Sequence, residues 1–308
     1  MIRILLTGGS GMVGRNFFEK ATKLGLKVLA PSSKELNLLC TTSTERWFEQ
    51  NKVEMIIHAA GRVGGIQANM SAQASFLIEN SNMARNLFTT ASAAGVKKGI
   101  NLGSSCMYPK LAENPLKESD ILNGQFEPTN EGYALAKVFA YKLCQYLSEQ
   151  GCVSYKTLLP CNIFGRYDSY DDNRSHMIPA VIKKIHNAKI KHLSKVEIWG
   201  DGSARREFMN VSDLADCLVH GVIHFESMPD LMNVGTGVDY SILDYYRMVS
   251  DVVGYKGEFT FDLSKPIGMK QKLVDVSLAA DWGWRSTISI EDGLSDAYSS
   301  YLETLNEY

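Results

Sequence analysis

Tyr133 and Lys137 stand four residues apart in the stretch NEGYALAKVFAYKLC, a spacing that puts both side chains on one face of one helix. A phenol with an unperturbed pKa of about 10 is a poor acid–base group until a neighbour tunes it. An ammonium one turn away stabilises the phenolate, so it is expected to lower that pKa, and it can also hold a ribose. Upstream, NLGSSCMYPK ends an apolar run with Ser104, Ser105 and Cys106 side by side. Ser104 can hydrogen-bond a carbonyl presented to Tyr133. Cys106, two residues on in an extended segment, is expected to share Ser104's face, with Ser105 opposite as a structural residue. A thiolate beside a polarised ketone can take a proton from the neighbouring carbon. Returning a proton to the opposite face needs an acid, and histidine suits that near neutral pH. His176, in DNRSHMIPA, is the best placed of the six histidines because it follows a polar loop and opens a helix. His58 ends a strand and reads as packed there, while His186, His192, His220 and His224 have no comparable setting. Spacing alone leaves the plainer readings open: Cys106 as a small buried hydrophobe, His176 as a loop or cap residue.

These groups need a frame that holds them together. Apolar runs predict strands over residues 2–6, 27–30, 55–59, 98–102 and 153–159. Helical periodicity falls between them, over 12–24, 45–51, 72–94 and 133–150. The strands are continuously apolar, as burial on two faces requires, and alternation with helices argues for a doubly wound parallel sheet. After Pro160 the texture changes. Residues 166–175 are polar and rich in turn formers; helices follow over 177–185 and 211–225, and short strands over 196–199, 233–238 and 259–262. No repeat, low-complexity segment or linker interrupts the chain.

TGGSGMVG places Gly8, Gly11 and Gly14 directly between the first strand and the first helix. In that setting Gly8 allows a tight turn, Gly11 lets backbone approach a pyrophosphate at the helix N-terminus, and Gly14 allows close helix–strand packing. The fold class is therefore α/β, a Rossmann-type doubly wound parallel sheet with a smaller C-terminal mixed α/β substrate domain. Residues 1–165 are expected to bind the dinucleotide, with the chain re-entering that domain around 208–230, and 166–308 mainly to bind substrate. The second strand leads into Pro31-Ser32-Ser33-Lys34, with no acid before Glu35. An acid at this point would favour NAD, so its lack favours NADP. Ala59 and Ala60 are small enough to let a dinucleotide lie across the third strand's end.

With 308 residues, a net charge of −2 and 45% hydrophobic residues, the chain offers no global electrostatic case for nucleic acid or a membrane surface. Its apolar runs fall far short of the roughly 18 residues of a membrane span. MIRILLTGG runs straight into the glycine turn, so no secretory signal is expected. The six cysteines, Cys40, Cys106, Cys144, Cys152, Cys161 and Cys217, show neither C-x-x-C nor metal-ligand spacing. Reduced thiols in a cytoplasmic protein, with no metal site, is the expectation.

The order glycine turn, Ser104, Tyr133, Lys137 resembles the extended short-chain dehydrogenase/reductases. Within them, ELNLL, VGGIQAN, LGSSCMYPK, EPTNEGYALAK, SHMIPA, WGDGSARREF, KLVDVS and NVGTGVDYSI resemble the GDP-L-fucose synthase family, from the first strand to about residue 300. The resemblance implies a homodimeric NADP(H)-dependent enzyme. It would epimerise a GDP-4-keto-6-deoxy-mannose at carbons 3 and 5 and then reduce the carbon-4 ketone. It implies reduction by Ser104, Tyr133 and Lys137, and epimerisation by Cys106 and His176. It implies cofactor contacts at Gly8, Gly11, Met12, Val13, Gly14, Ser33, Asn37, Leu38, Ala59, Ala60, Tyr133, Lys137, Asn162 and His176. Substrate contacts are implied at Ser104, Lys184, Trp199, Arg206 and Lys272, where a guanidinium suits a diphosphate. The chain departs from the family at Lys184 and Ser33, where arginine is usual, and at Gly132, where proline is usual. The motifs do not separate this reaction from those of sister enzymes such as GDP-L-colitose synthase or a GDP-heptose reductase. A plain reductase that leaves Cys106 and His176 idle, and a non-catalytic NADP-binding sensor, are the further rivals. The intact Ser104, Tyr133, Lys137 set argues against a sensor.

Overall fold

The computed structural model describes residues 2–171, 175–265 and 268–306. In chain order the first half contains β1 (Arg3–Thr7), α1 (Met12–Lys23), β2 (Lys27–Leu29), α2 (Thr41–Gln50), β3 (Met55–His58), α3 (Ile66–Ser71), α4 (Gln73–Ala93), β4 (Lys98–Leu102), α5 (Glu131–Glu149) and β5 (Ser154–Pro160). The second half contains β6 (Asn162–Phe164), α6 (Met177–Ile190), β7 (Lys195–Trp199), β8 (Arg205–Arg206), β9 (Phe208–Asn210), α7 (Val211–Ile223) and β10 (Leu231–Val234). It closes with β11 (Tyr240–Ser241), α8 (Ile242–Val253), β12 (Glu258–Asp262), β13 (Gln271–Lys272), α9 (Ser277–Asp281) and α10 (Ile290–Asn306).

Six strands form one parallel sheet in the order β10-β5-β4-β3-β1-β2. Side chains alternate across it. Ile4, Leu6, Met55 and Ile57 join Phe17 of α1 and Leu214 of α7 on one face, while Leu5 and Ile56 join Leu87 and Phe88 of α4 and Cys144 of α5 on the other. The winding direction reverses at β1, which has β2 on one side and β3 on the other. Such a reversal opens a crevice beyond the carboxyl ends of the strands.

A second core gathers Ile178 and Ile182 of α6, Tyr245 and Val249 of α8, Leu294 of α10 and Ile198 of β7. Beside it, β8 pairs antiparallel with β11 and parallel with β13. Arg206 and Lys272 are direct partners in the β8–β13 register, and paired residues of parallel strands project to the same side.

The structure departs from the sequence reading in three places. The strand expected over 233–238 stops at Val234, because Gly235 turns tightly past a buried carboxylate: a Cβ there would lie 2.3 Å from Glu207 Oε1. The six-residue α3 follows the two glycines Gly64 and Gly65 and is too short to show a period. The two-residue strands β8, β11 and β13 carry no sequence signal either, since tertiary pairing alone defines them. Residues 172–174 of the expected polar loop lie outside the described residues.

Candidate active site

The glycine turn is built by close contact. Gly8 has φ +74°, a conformation glycine adopts without steric cost, and its carbonyl accepts the Gly11 N–H at 3.0 Å. A Cβ on Gly8 would lie 2.6 Å from Ala59 and Ala60 backbone, and one on Gly14 would lie 2.1 Å from Gly8 O. Met12 and Val13 open α1, whose N-terminus has no side-chain cap and no acid in its first turn. Those uncapped N–H groups, in a cradle that a single methyl would fill, fit a pyrophosphate. In the loop after β2, Ser33 is exposed and Glu35 folds back, accepting the Ser32 N–H and hydroxyl, each at 2.8 Å. Asn37 Oδ1 accepts the Leu39 N–H at 3.0 Å, and the buried Leu38 is held through its carbonyl by Asn86 Nδ2 at 2.8 Å.

Ser104, Tyr133 and Lys137 gather where β4 meets α5. Lys137 is buried; its ammonium donates to Leu102 O at 2.7 Å and stands 5.7 Å from the Tyr133 ring centroid. Burial lowers the Lys137 pKa to about 8, and negative charge at Cys106 opposes that shift. Beneath it His58, whose Nδ1 pairs with Thr7 Oγ1 at 2.8 Å, is driven to about 3 by burial and by the Lys137 charge. The expectation that Tyr133 titrates below an ordinary phenol is corrected. Burial, followed by the Cys106 charge, pushes it up, which favours the protonated phenol. The Lys137 ammonium spends its strong hydrogen bond on Leu102 instead.

Cys106 also reaches its place by a route other than strand alternation. Ser104 is extended, but residues Ser105–Met107 turn as a 3-10 helix, and Ser104 Oγ accepts the Cys106 N–H at 3.2 Å. The turn swings the sulfur toward α5 and the small sheet. Asn130 Nδ2 donates to Sγ at 3.1 Å, and Lys272 Nζ lies 3.6 Å from it. Two N–H donors on sulfur are complementary to a thiolate. His176 is the N-cap residue of α6, with extended backbone and an exposed edge. Desolvation lowers its pKa, and the Lys272 charge adds to the effect. On β8, burial lowers the Arg206 pKa while charges at Glu127 and Cys106 act in the opposite direction. Ser104, Cys106, Tyr133, Lys137, His176, Arg206 and Lys272 therefore share one electrostatic neighbourhood.

Other expected site residues are engaged in the frame. Asn162 Nδ2 donates to Glu207 O at 2.7 Å. The Lys184 ammonium donates to the Glu197 carbonyl of β7, so in this structure it braces a strand. Trp199 is exposed at the end of β7, with Lys265 Nζ 5.5 Å from its ring centroid.

Two residues went unread in the sequence. Glu207 is fully buried; its carboxylate accepts the N–H groups of Thr236 at 2.6 Å, Gly237 at 2.8 Å and Val274 at 2.9 Å. Its own N–H goes to Lys272 O at 3.2 Å, so it knits the Arg206 and Lys272 strands together. A lone acid opening the apolar run Phe208–Met209 was the available signal. Asn130, at the N-cap of α5, was visible as a capping residue next to Tyr133, but its partner Cys106 was not.

The model of the NAD dependent epimerase/dehydratase family matches residues 4–235. A GDP-L-colitose synthase of Yersinia pseudotuberculosis is 48% identical over 99% of this chain and 99% of its own length. A GDP-L-fucose synthase of Azorhizobium caulinodans is 44% identical over 97% and 96%. Among solved structures, a GDP-6-OMe-4-keto-L-xylo-heptose reductase from C. jejuni superposes with a TM-score of 0.92 at 27% identity, covering 98% of each chain. A GDP-mannoheptose C4 reductase from Campylobacter jejuni with NADP bound superposes with a TM-score of 0.89 at 28% identity, again covering 98% of each.

Proposed function

The chain belongs to the NAD dependent epimerase/dehydratase family and is an NADP(H)-dependent GDP-sugar epimerase/reductase; on that premise we propose that it converts GDP-4-keto-6-deoxy-D-mannose to GDP-L-fucose. One observation carries the epimerase half of this reading: the Cys106 sulfur takes hydrogen bonds from Asn130 and Lys272, and the Lys272 charge also bears on His176.

The carbon-4 ketone acidifies the protons on carbons 3 and 5. Cys106 takes one: the C–H bond breaks, an S–H bond forms, and the electron pair passes to the carbonyl oxygen. Ser104 and Tyr133 donate hydrogen bonds to that enolate oxygen. His176 gives a proton to the opposite face, inverting the carbon. In the second half Tyr133, held protonated by burial, gives its proton to the carbon-4 oxygen. The Lys137 ammonium then stabilises the phenolate left behind. When bound, NADPH supplies the hydride. Gly8, Gly11, Met12, Val13, Gly14, Ser33, Asn37, Leu38, Ala59, Ala60, Asn162 and Lys137 are the residues we assign to holding it. Arg206 and Lys272, side by side on β8 and β13, face the diphosphate, with Trp199 and Lys184 at the outer wall.

The 48% identity to a GDP-L-colitose synthase favours a second reading, in which the substrate lacks the carbon-3 hydroxyl and only carbon 5 is inverted. Incubation with NADPH and each GDP-4-keto sugar in deuterated water, followed by product NMR, decides between them. Deuterium at both carbons 3 and 5 supports the fucose reading. Preferred turnover of the 3-deoxy sugar, with deuterium at carbon 5 alone, overturns it.

We place residues 1–165 with the cofactor and 166–308 mainly with the sugar nucleotide, the chain re-entering the first domain around 208–230. The reading carries a homodimer formed by α4 and α5, which expose Ile78, Phe139 and Tyr146. It also carries a cytoplasmic setting and a product that glycosyl transfer into a polysaccharide consumes. No helix among the described residues is long and apolar enough to cross a membrane.

A further inference from the structure

Asn130 precedes the helix that carries Tyr133 and Lys137, yet it gives up the usual work of asparagine there. An N-cap asparagine ordinarily turns its carbonyl onto an N–H of the first helical turn. Asn130 makes no such side-chain cap, and the Gly132 N–H goes to Gln73 Oε1 at 2.8 Å. Its amide nitrogen instead donates to Cys106 Sγ at 3.1 Å. Its oxygen, Oδ1, is buried without a hydrogen-bond partner among the described residues. A buried amide oxygen left unpaired is costly, and the nitrogen bond holds it beside the sulfur. Glu127, on the same turn, keeps a second buried oxygen, Oε2, with no hydrogen bond among the described residues; Lys110 Nζ stands 3.7 Å from it.

We propose that Asn130 belongs to the epimerisation site: its N–H holds the Cys106 sulfur in register, and Oδ1 accepts a substrate hydroxyl next to the carbon that Cys106 deprotonates. The inference rests on the reading of Cys106 as the epimerisation base. It divides one side chain between two tasks, and a pair of substitutions separates them. Asn130→Asp keeps an acceptor and loses the donor to sulfur; Asn130→Ala loses both.

The test measures deuterium wash-in to GDP-4-keto-6-deoxy-D-mannose without NADPH. It sets this beside hydride transfer from GDP-L-fucose to NADP+, which needs no proton abstraction from carbon. The ratio of wash-in to hydride transfer is expected to fall at least about tenfold in both variants. KM for the keto sugar is expected to rise more in the alanine variant than in the aspartate. Melting temperatures stay at the wild-type value, because no helix cap is removed. Wash-in and hydride transfer falling together, or an unchanged ratio beside normal wild-type exchange, overturns the role of Asn130 alone. A wild-type enzyme that exchanges no deuterium overturns this inference and the Cys106 reading together.

Discussion

Two lysines enter the same cleft by opposite routes. Lys137 comes from the helix next to the strand it touches, reaching Leu102 O across 35 residues of chain. Lys272 approaches the Cys106 sulfur across 166 residues, from a two-residue strand that exists only because β8 pairs with it. The reducing side is thus assembled within one β–α unit of the large sheet. The site we propose for epimerisation adds to that unit's own Cys106 turn and Asn130 N-cap two distant pieces, the N-cap at His176 and β13. A group held by its own supersecondary unit is positioned by local geometry. A group held between distant segments, as the Lys272 ammonium is at the Cys106 sulfur, depends on how those segments dock.

Each half can be broken without the other, and the sizes rank. Tyr133→Phe removes the proton donor and is expected to slow NADPH oxidation by about 10³-fold, within the usual range for general acid catalysis. Deuterium wash-in should fall much less, since Ser104 still faces the enolate oxygen; equal losses would mean the halves are not separable. Cys106→Ser is expected to cut wash-in by about 10²-fold while reverse hydride transfer from GDP-L-fucose stays within a few-fold of wild type. Persistent wash-in at the wild-type rate removes Cys106 from the mechanism. Lys272→Met, which takes the ammonium from the sulfur, is expected to lower wash-in about tenfold, equivalent to about 1.4 kcal/mol. Its effect on hydride transfer should be smaller than its effect on wash-in.

The least drastic test is pH. Lys137 must carry its proton to stabilise the Tyr133 phenolate, and its pKa is lowered to about 8 by burial. The charged form prevails below that value and is lost above it. In steady-state assays kcat/KM for reduction should therefore decline on the alkaline side with a midpoint of about 8, the free-enzyme value. A flat profile to pH 10 would show that the ammonium is not required.

The large sheet was legible because its signals are local. Continuous apolar strands, the 3.6-residue period of α4 and α5, and the glycine turn each declare themselves within about a dozen residues. The Tyr133–Lys137 pair is of the same kind, since one helical turn places both side chains on one face. Other features were misread or missed where a local turn breaks the strand period or a distant segment supplies the partner. Alternation predicted the face of Cys106, but a 3-10 turn sets it. The tyrosine was expected to titrate low beside an ammonium, but burial from neighbouring elements sets its direction. Glu207 gave no local sign that it would accept N–H groups from loops nearly 30 and 67 residues away.

The amino-acid sequence by itself determined the alternation of strands and helices, the glycine cradle and the serine–tyrosine–lysine order, because periodicity and turn chemistry act over single turns of chain. Only the tertiary structure decided that Asn130 and Lys272 converge on the Cys106 sulfur and that the Lys272 charge bears on His176. The physical reason is that such contacts are made by the packing of two cores, and no residue's local propensity records which distant segment will face it.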